Sequence, residues 1–289
     1  MPSAVLDGVE IAYEETGSGV SIVFCHEFAG SMESWNLQVS YLSRRFRTVT
    51  YNARGYPPSE VPASWEDYSQ DHQVETLYQL LRHLKIEQAY VCGLSMGAHT
   101  VLNFGLAHPE SCLGIIAAGA GTGSADADVM RKESEQRAEV LESGGMTSMD
   151  YYLTGLTRIR FKEKDPLGWD EFARLFRGHS AAGSANTLRG FQARRPTLYS
   201  RAAEFAALEV PALVIVGDED DPCIEPSVFL KRTLPRCGVL MFPQTGHACN
   251  LEEPALFNQA VSDFIAQTEA GRWGKQPSGS GDVWNTHKA

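Results

Sequence analysis

The chain has 289 residues, 43% hydrophobic and 21% charged, which is enough to bury one sizeable core and suits a single large α/β domain. Its formal net charge of −11 repels phosphate backbones and anionic lipid, so neither nucleic acid nor a membrane surface is an expected partner. No apolar stretch approaches the roughly 18 to 20 residues that cross a bilayer, and Met1-Pro-Ser-Ala-Val-Leu-Asp-Gly has no basic segment leading into an apolar one, so a cytoplasmic location is expected.

In chain order the predicted elements alternate strand and helix, which argues for an α/β fold with a mostly parallel central sheet flanked by helices. Residues 3–14 alternate up to a break at Gly17-Ser-Gly19 and read as an antiparallel strand or hairpin at a sheet edge. Residues 21–26 form a short apolar run that suits a buried strand. A helix is predicted over 32–45 and a β-branched and aromatic strand over 46–52. In 71–85, Val74, Leu77, Leu80, Leu81 and Leu84 recur at helical spacing. Ala89–Cys92 reads as a buried strand ending in Gly93, 96–107 as a helix, and Leu113–Ala118 as the sixth strand.

From Gly119 to about Leu208 the patterns are helical, with no convincing buried strand. An insertion of this length is far longer than an ordinary connection, so 122–208 is predicted to be a helical lid. The core is then 1–121 together with 209–268. Buried strands resume at Pro211–Val216 and Gly238–Phe242, and a last amphipathic helix covers about 254–269. Residues 269–289, rich in Gly, Ser, Lys and Asn, are expected to form a flexible or loosely packed tail.

The six cysteines show neither a CxxC pair nor zinc-like spacing, so no metal is expected, and they read as small apolar fillers of a reducing compartment. Cys249 is singled out only because it lies two residues after a candidate histidine.

Gly93-Leu94-Ser95-Met96-Gly97 fits G-x-S-x-G between a buried strand and a helix. Such a turn lifts a serine hydroxyl above the sheet and aims the Met96 amide at the reacting oxygen, with the helix dipole behind it. A serine hydroxyl needs a positioned base. Of eight histidines, His247 in Thr245-Gly246-His247 lies between the last strand and last helix, at the C-terminal edge of the sheet where ligand chemistry collects. His179 lies in the lid and is a lesser pocket candidate. The imidazole in turn needs an acid. Val216-Gly-Asp-Glu-Asp-Asp-Pro222 follows a strand and offers Asp218, Glu219, Asp220 and Asp221.

His26-Glu-Phe-Ala-Gly-Ser31, Asn52-Ala-Arg-Gly-Tyr56, the Ser95 pentapeptide and the Gly217-Asp-Glu-Asp220 and Gly246-His247 pair together resemble the α/β-hydrolase superfamily, closest in flavour to its esterases, enol-lactonases and C–C bond hydrolases. The resemblance spans nearly all the chain outside the lid and tail. It implies a Ser95, His247, Asp220 triad, with Asp221 as the fallback acid, and an oxyanion hole built from the amides of Phe28 and Met96. Two departures stand out. Glu27 occupies a usual glycine, and Asn52 stands where an aspartate is common. A carboxylate at Glu27 either turns inward and opposes negative charge or turns outward into solvent, and the two weigh evenly. Glu27 and His26 are the expected substrate contacts, and the lid is expected to set substrate choice. An arginine among Arg131, Arg137, Arg158, Arg160, Arg189, Arg194 and Arg195 would clamp a substrate carboxylate if it faced the pocket. Met130, Met146, Met149, Tyr151, Tyr152, Phe161, Phe172, Phe176 and Phe191 are candidates for its roof. The expected activity is cleavage of a small ester or lactone by a monomer or homodimer without a cofactor. The alternatives are a C–C bond hydrolase of ring-cleavage products and a non-catalytic receptor.

Overall fold

A computed structural model describes residues 1–121, 124 and 126–276. Its centre is one eight-stranded sheet. The strands are β1 (Ser3–Leu6), β2 (Val9–Thr16), β3 (Ser21–Cys25), β4 (Arg47–Tyr51), β5 (Ala89–Leu94), β6 (Cys112–Ala118), β7 (Ala212–Gly217) and β8 (Cys237–Phe242). They lie in the order β1-β2-β4-β3-β5-β6-β7-β8. β1 and β2 form the antiparallel hairpin, β2 runs antiparallel to β4, and every other pairing is parallel.

The side-chain alternation of the strands divides the core into two layers. Val23, Val91, Ile115 and Val214 face one side, where Leu77, Leu80 and Leu81 of α2 (Gln70–His83) and Val101, Leu102 and Phe104 of α3 (Met96–Ala107) cover them. Phe24, Cys92, Ile116 and Ile215 face the other, against α1 (Asn36–Leu42) and α12 (Pro254–Glu269), which follows the short α11 (Cys249–Glu252); α1 and α12 supply Leu42, Phe257, Val261, Phe264 and Ile265.

Between β6 and β7 the described chain carries helices and no strand: α4 (Ala127–Gly144), α5 (Asp150–Leu153), α6 (Ile159–Lys164), α7 (Pro166–Arg177), α8 (Ala181–Thr187) and α9 (Ala202–Ala207). α8 runs directly into a π-helical turn, Leu188–Gln192. Three differences from the sequence reading stand out. First, α10 (Asp221–Thr233) fills a stretch where no element was predicted, because Pro222 and Pro226 interrupt the helical signal. Pro222 is tolerated in the first turn, whose amides have no intrahelical acceptor. Second, β8 is an edge strand, not a buried one: Val239, Leu240 and Met241 are 39–43% exposed. A short apolar run cannot distinguish the two. Third, the expected loose tail is docked at its start. Trp273 donates from Nε1 to the Arg236 carbonyl and packs edge-on to Phe264, and Gln276 bonds the Pro235 and Leu234 carbonyls. The remainder of the predicted tail, 277–289, lies outside the described residues. No helix among them is long and apolar enough to cross a membrane.

Candidate active site

β5 ends at Leu94 and α3 begins at Met96, so Ser95 alone makes the turn. Its φ of 54° and ψ of −109° lie in a region that non-glycine residues avoid, at a strain of about 1–3 kcal/mol. The surroundings enforce it. The Ser95 amide donates to the Ala118 carbonyl of β6 at 2.8 Å. A Cβ on Gly93 would overlap the Gly97 backbone, and one on Gly97 would overlap the Cys25 carbonyl oxygen at the end of β3. The glycines flanking the serine are therefore steric requirements of this turn. Met96, the first helical residue, has an amide with no intrahelical acceptor.

The loop after β3 faces that turn and is braced from behind. The Ala53 amide donates to His26 Nε2 at 2.9 Å, so His26 Nδ1 carries the proton and donates to the Glu27 carbonyl at 2.7 Å. Burial pushes the His26 pKa down to about 3, so the ring stays neutral. The Tyr56 hydroxyl accepts from the Ala29 amide, and Asn52 Oδ1 accepts from Met32. These bonds are the task of the Asn52–Tyr56 segment. Phe28 lines the pocket, and its amide makes none of the loop's turn bonds among the described residues.

β7 ends at Gly217, where a Cβ would overlap the Thr245 and Gly246 carbonyls, so the acid turn and histidine loop meet closely only through glycine. Asp220 is 1% exposed, and its Oδ2 lies 2.7 Å from His247 Nδ1. A carboxylate only accepts, so Nδ1 holds the proton and Nε2 keeps its lone pair. Burial opposes the imidazolium, but the charge and hydrogen bond of Asp220, with smaller help from Cys223, outweigh it and raise the His247 pKa well above its ordinary value. Asp221 is exposed as the first residue of α10, Asp218 Oδ1 caps the Thr245 amide, and Glu219 pairs with Arg160. Glu252 accepts from the Gly246 amide, and the His247 amide donates to the Thr157 carbonyl at 2.7 Å.

Ser95, Asp220 and His247 open onto one cavity of about 250 Å³. Phe28, Met130, Met149, Tyr151, Tyr152 and Leu188 provide its apolar lining, and Arg137, Arg158 and Gln192 polar groups. Met146, Phe161, Phe172, Phe176 and Phe191 pack within the insertion instead. Leu188 and Gln192 are the ends of the π-helical turn, a signal that periodicity did not reveal. His179 is not a lining residue. It packs edge-on to Tyr56, and burial lowers its pKa to about 4. Cys249 is a core filler.

The two expected substrate contacts are corrected. His26 spends both ring nitrogens on backbone and does not line the cavity. Glu27 turns neither into the pocket nor out to solvent: it is 1% exposed and forms a two-pronged ion pair with Arg158, which is equally buried. Arg158 also donates to the Tyr152 hydroxyl at 2.6 Å and lies over that ring and over Phe172. Burial opposes the Arg158 charge, but Glu27 and Tyr152 more than compensate and hold its pKa above the ordinary value. The countercharge comes from 131 residues away, which no local reading of the loop after β3 reveals. Among the remaining arginines of the insertion, Arg131, Arg160, Arg189 and Arg194 pair with insertion or loop carboxylates outside the cavity.

The model of the alpha/beta hydrolase fold matches residues 20–254. The 3-oxoadipate enol-lactonase 1 of Acinetobacter baylyi is 27% identical over 252 residues, 85% of this chain and 88% of that protein. A 2-hydroxymuconate semialdehyde hydrolase of a Pseudomonas strain is 26% identical over 274 residues, 91% of this chain and 93% of that one. Among solved structures, the enol-lactonase from Burkholderia xenovorans superposes with a TM-score of 0.82 at 24% identity, covering 92% of this chain and all of that one. The chain belongs to the alpha/beta hydrolase fold family.

Proposed function

We propose that this hydrolase of the alpha/beta hydrolase superfamily cleaves a small carboxylic ester or lactone through an acyl-enzyme on Ser95. One observation carries the reading: a serine held at positive φ on a helix N-terminus shares a cavity with a histidine whose Nδ1 is bonded to a buried aspartate. Ser95 Oγ attacks the carbonyl carbon while His247 Nε2 takes its proton, and Asp220 stabilises the imidazolium. The amides of Phe28 and Met96 hold the oxyanion, each worth roughly 10²- to 10³-fold in rate. Collapse expels the alkoxide with the proton from His247. Water, deprotonated by the same ring, then releases the acid.

The cavity volume of about 250 Å³ is near the lower bound of small-molecule pockets, about 300 Å³, so a compact substrate is favoured. The enol-lactonase relatives support ring esters. A second reading, cleavage of a C–C bond next to a carbonyl, is favoured by the similarity to the semialdehyde hydrolase over nearly the whole chain. Steady-state kinetics on a panel of short esters, small lactones and vinylogous diketones, with wild type and Ser95→Ala, separates them. The proposal expects ester or lactone turnover that falls by at least about 10³-fold in Ser95→Ala. Turnover of the diketones alone would replace it with the second reading.

A further inference from the structure

Three buried donors of different chemistry meet behind the pocket: the Asp220 carboxylate, the Cys223 thiol and the His247 imidazole, with one ligand atom of each within 4.8 Å of the others. The start of α10 brings the thiol there. Asp220 caps this helix, and the Cys223 amide donates to the Asp220 carbonyl at 2.8 Å, so Cys223 sits one turn beyond the acid. Its Sγ lies 3.3 Å from the Gly119 carbonyl. A Cβ on Gly119 would stand 3.3 Å from His247 Nδ1 and 3.4 Å from Asp220 Oδ2. The thiol therefore adjoins the edge where the imidazole and carboxylate are joined. The thiol also hydrogen-bonds the His247 ring, while acyl transfer itself calls for no sulfur.

We propose that Asp220, Cys223 and His247 form a binding site for Zn²⁺, and that its occupation stops hydrolysis. Sulfur, imidazole nitrogen and carboxylate oxygen are zinc donors, whereas calcium and magnesium want oxygen alone. Bonds of about 2.0–2.3 Å at tetrahedral angles place the donors about 3.3–3.7 Å apart. The Nδ1–Oδ2 pair must open from 2.7 Å, and the thiol must close by at most about 1 Å. Asp220 and His247 border the cavity, which gives a metal ion its route to the site.

Charge and protons balance. Zn²⁺ binds the carboxylate already present and displaces one proton from the Cys223 thiol, leaving a neutral buried site. The neutral imidazole keeps its single proton, but coordination at Nδ1 moves it to Nε2. Nε2 can then no longer accept a proton from Ser95. Metal binding is independent of the proposed reaction, whereas inhibition rests on it.

The test titrates chelator-treated protein with Zn²⁺, and with Co²⁺ as a visible substitute. Wild type should bind one equivalent and give a cobalt–thiolate charge-transfer band. Ester turnover should fall over the same Zn²⁺ titration and return with chelator. Cys223→Ser and Cys223→Ala should lose the band and require at least tenfold more Zn²⁺ for half-inhibition, each measured against its own metal-free rate. Ser95→Ala, inactive, should bind cobalt as wild type does, so failure of the site and failure of the ester reading are distinguishable. Absence of the thiolate band in wild type would overturn the proposal, as would equal Zn²⁺ sensitivity of the Cys223 variants and wild type.

Discussion

His247 and Asp220 show what one residue's environment decides. Four acidic residues follow β7 in sequence, and only Asp220 is buried against the imidazole. Sequence narrowed the acid to this run, and position in the turn separates the members: Asp221 already belongs to α10, and its side chain faces solvent. Because Asp220 raises the His247 pKa, and the proposed reaction needs the neutral ring, the acid limb of kcat/KM should lie above the ordinary histidine range. Asp220→Asn removes the raising charge, so that limb should move to lower pH. The same change should lower kcat by about 10³- to 10⁴-fold, since an amide no longer fixes the tautomer. A pH–rate profile of both proteins checks this, and an unmoved limb would assign the acid elsewhere. His26 contributes no limb, because burial keeps it neutral down to about pH 3.

Elements are joined at this site by contacts that local pattern does not contain. The strand–turn–helix around Ser95 was legible because a short apolar run leads straight into G-x-S-x-G, whose glycines the packing demands. The helical character of the insertion was legible from composition and spacing. Its attachment was not. Residues 157–158 bridge the loops that follow β3 and β8: the Thr157 carbonyl accepts from the His247 amide, and Arg158 pairs with Glu27 beside Phe28. Glu27 was visible as an odd residue at a glycine position, but its meaning is a tertiary pairing with Arg158. Glu27→Gln leaves the Arg158 charge buried and unpaired, which should destabilise the fold by about 3–5 kcal/mol. The double variant Glu27→Gln, Arg158→Met removes both charges and should recover most of that loss. Chemical denaturation of wild type, single and double variants checks it, and a Glu27→Gln midpoint equal to wild type would refute the bridging role.

At the scale of the molecule, the parallel sheet brings every proposed catalytic group to one edge. Ser95 follows β5, Asp220 follows β7, His247 follows β8, and Phe28 follows β3. Strand order does this without any contact between the segments in sequence, which explains why motif spacing could name Ser95, Asp220 and His247 as candidates but left open which residues of the insertion border the cavity. Arg158, Gln192 and the Tyr152 hydroxyl enter from the insertion, whose packing on the sheet no periodicity records. The most direct measurement of the account is covalent labelling by a fluorophosphonate, read by intact and peptide mass spectrometry. The account predicts one adduct per chain, on Ser95, with loss of ester turnover in step with labelling and no adduct in Ser95→Ala. An adduct on another residue, or full hydrolysis by Ser95→Ala, would contradict it.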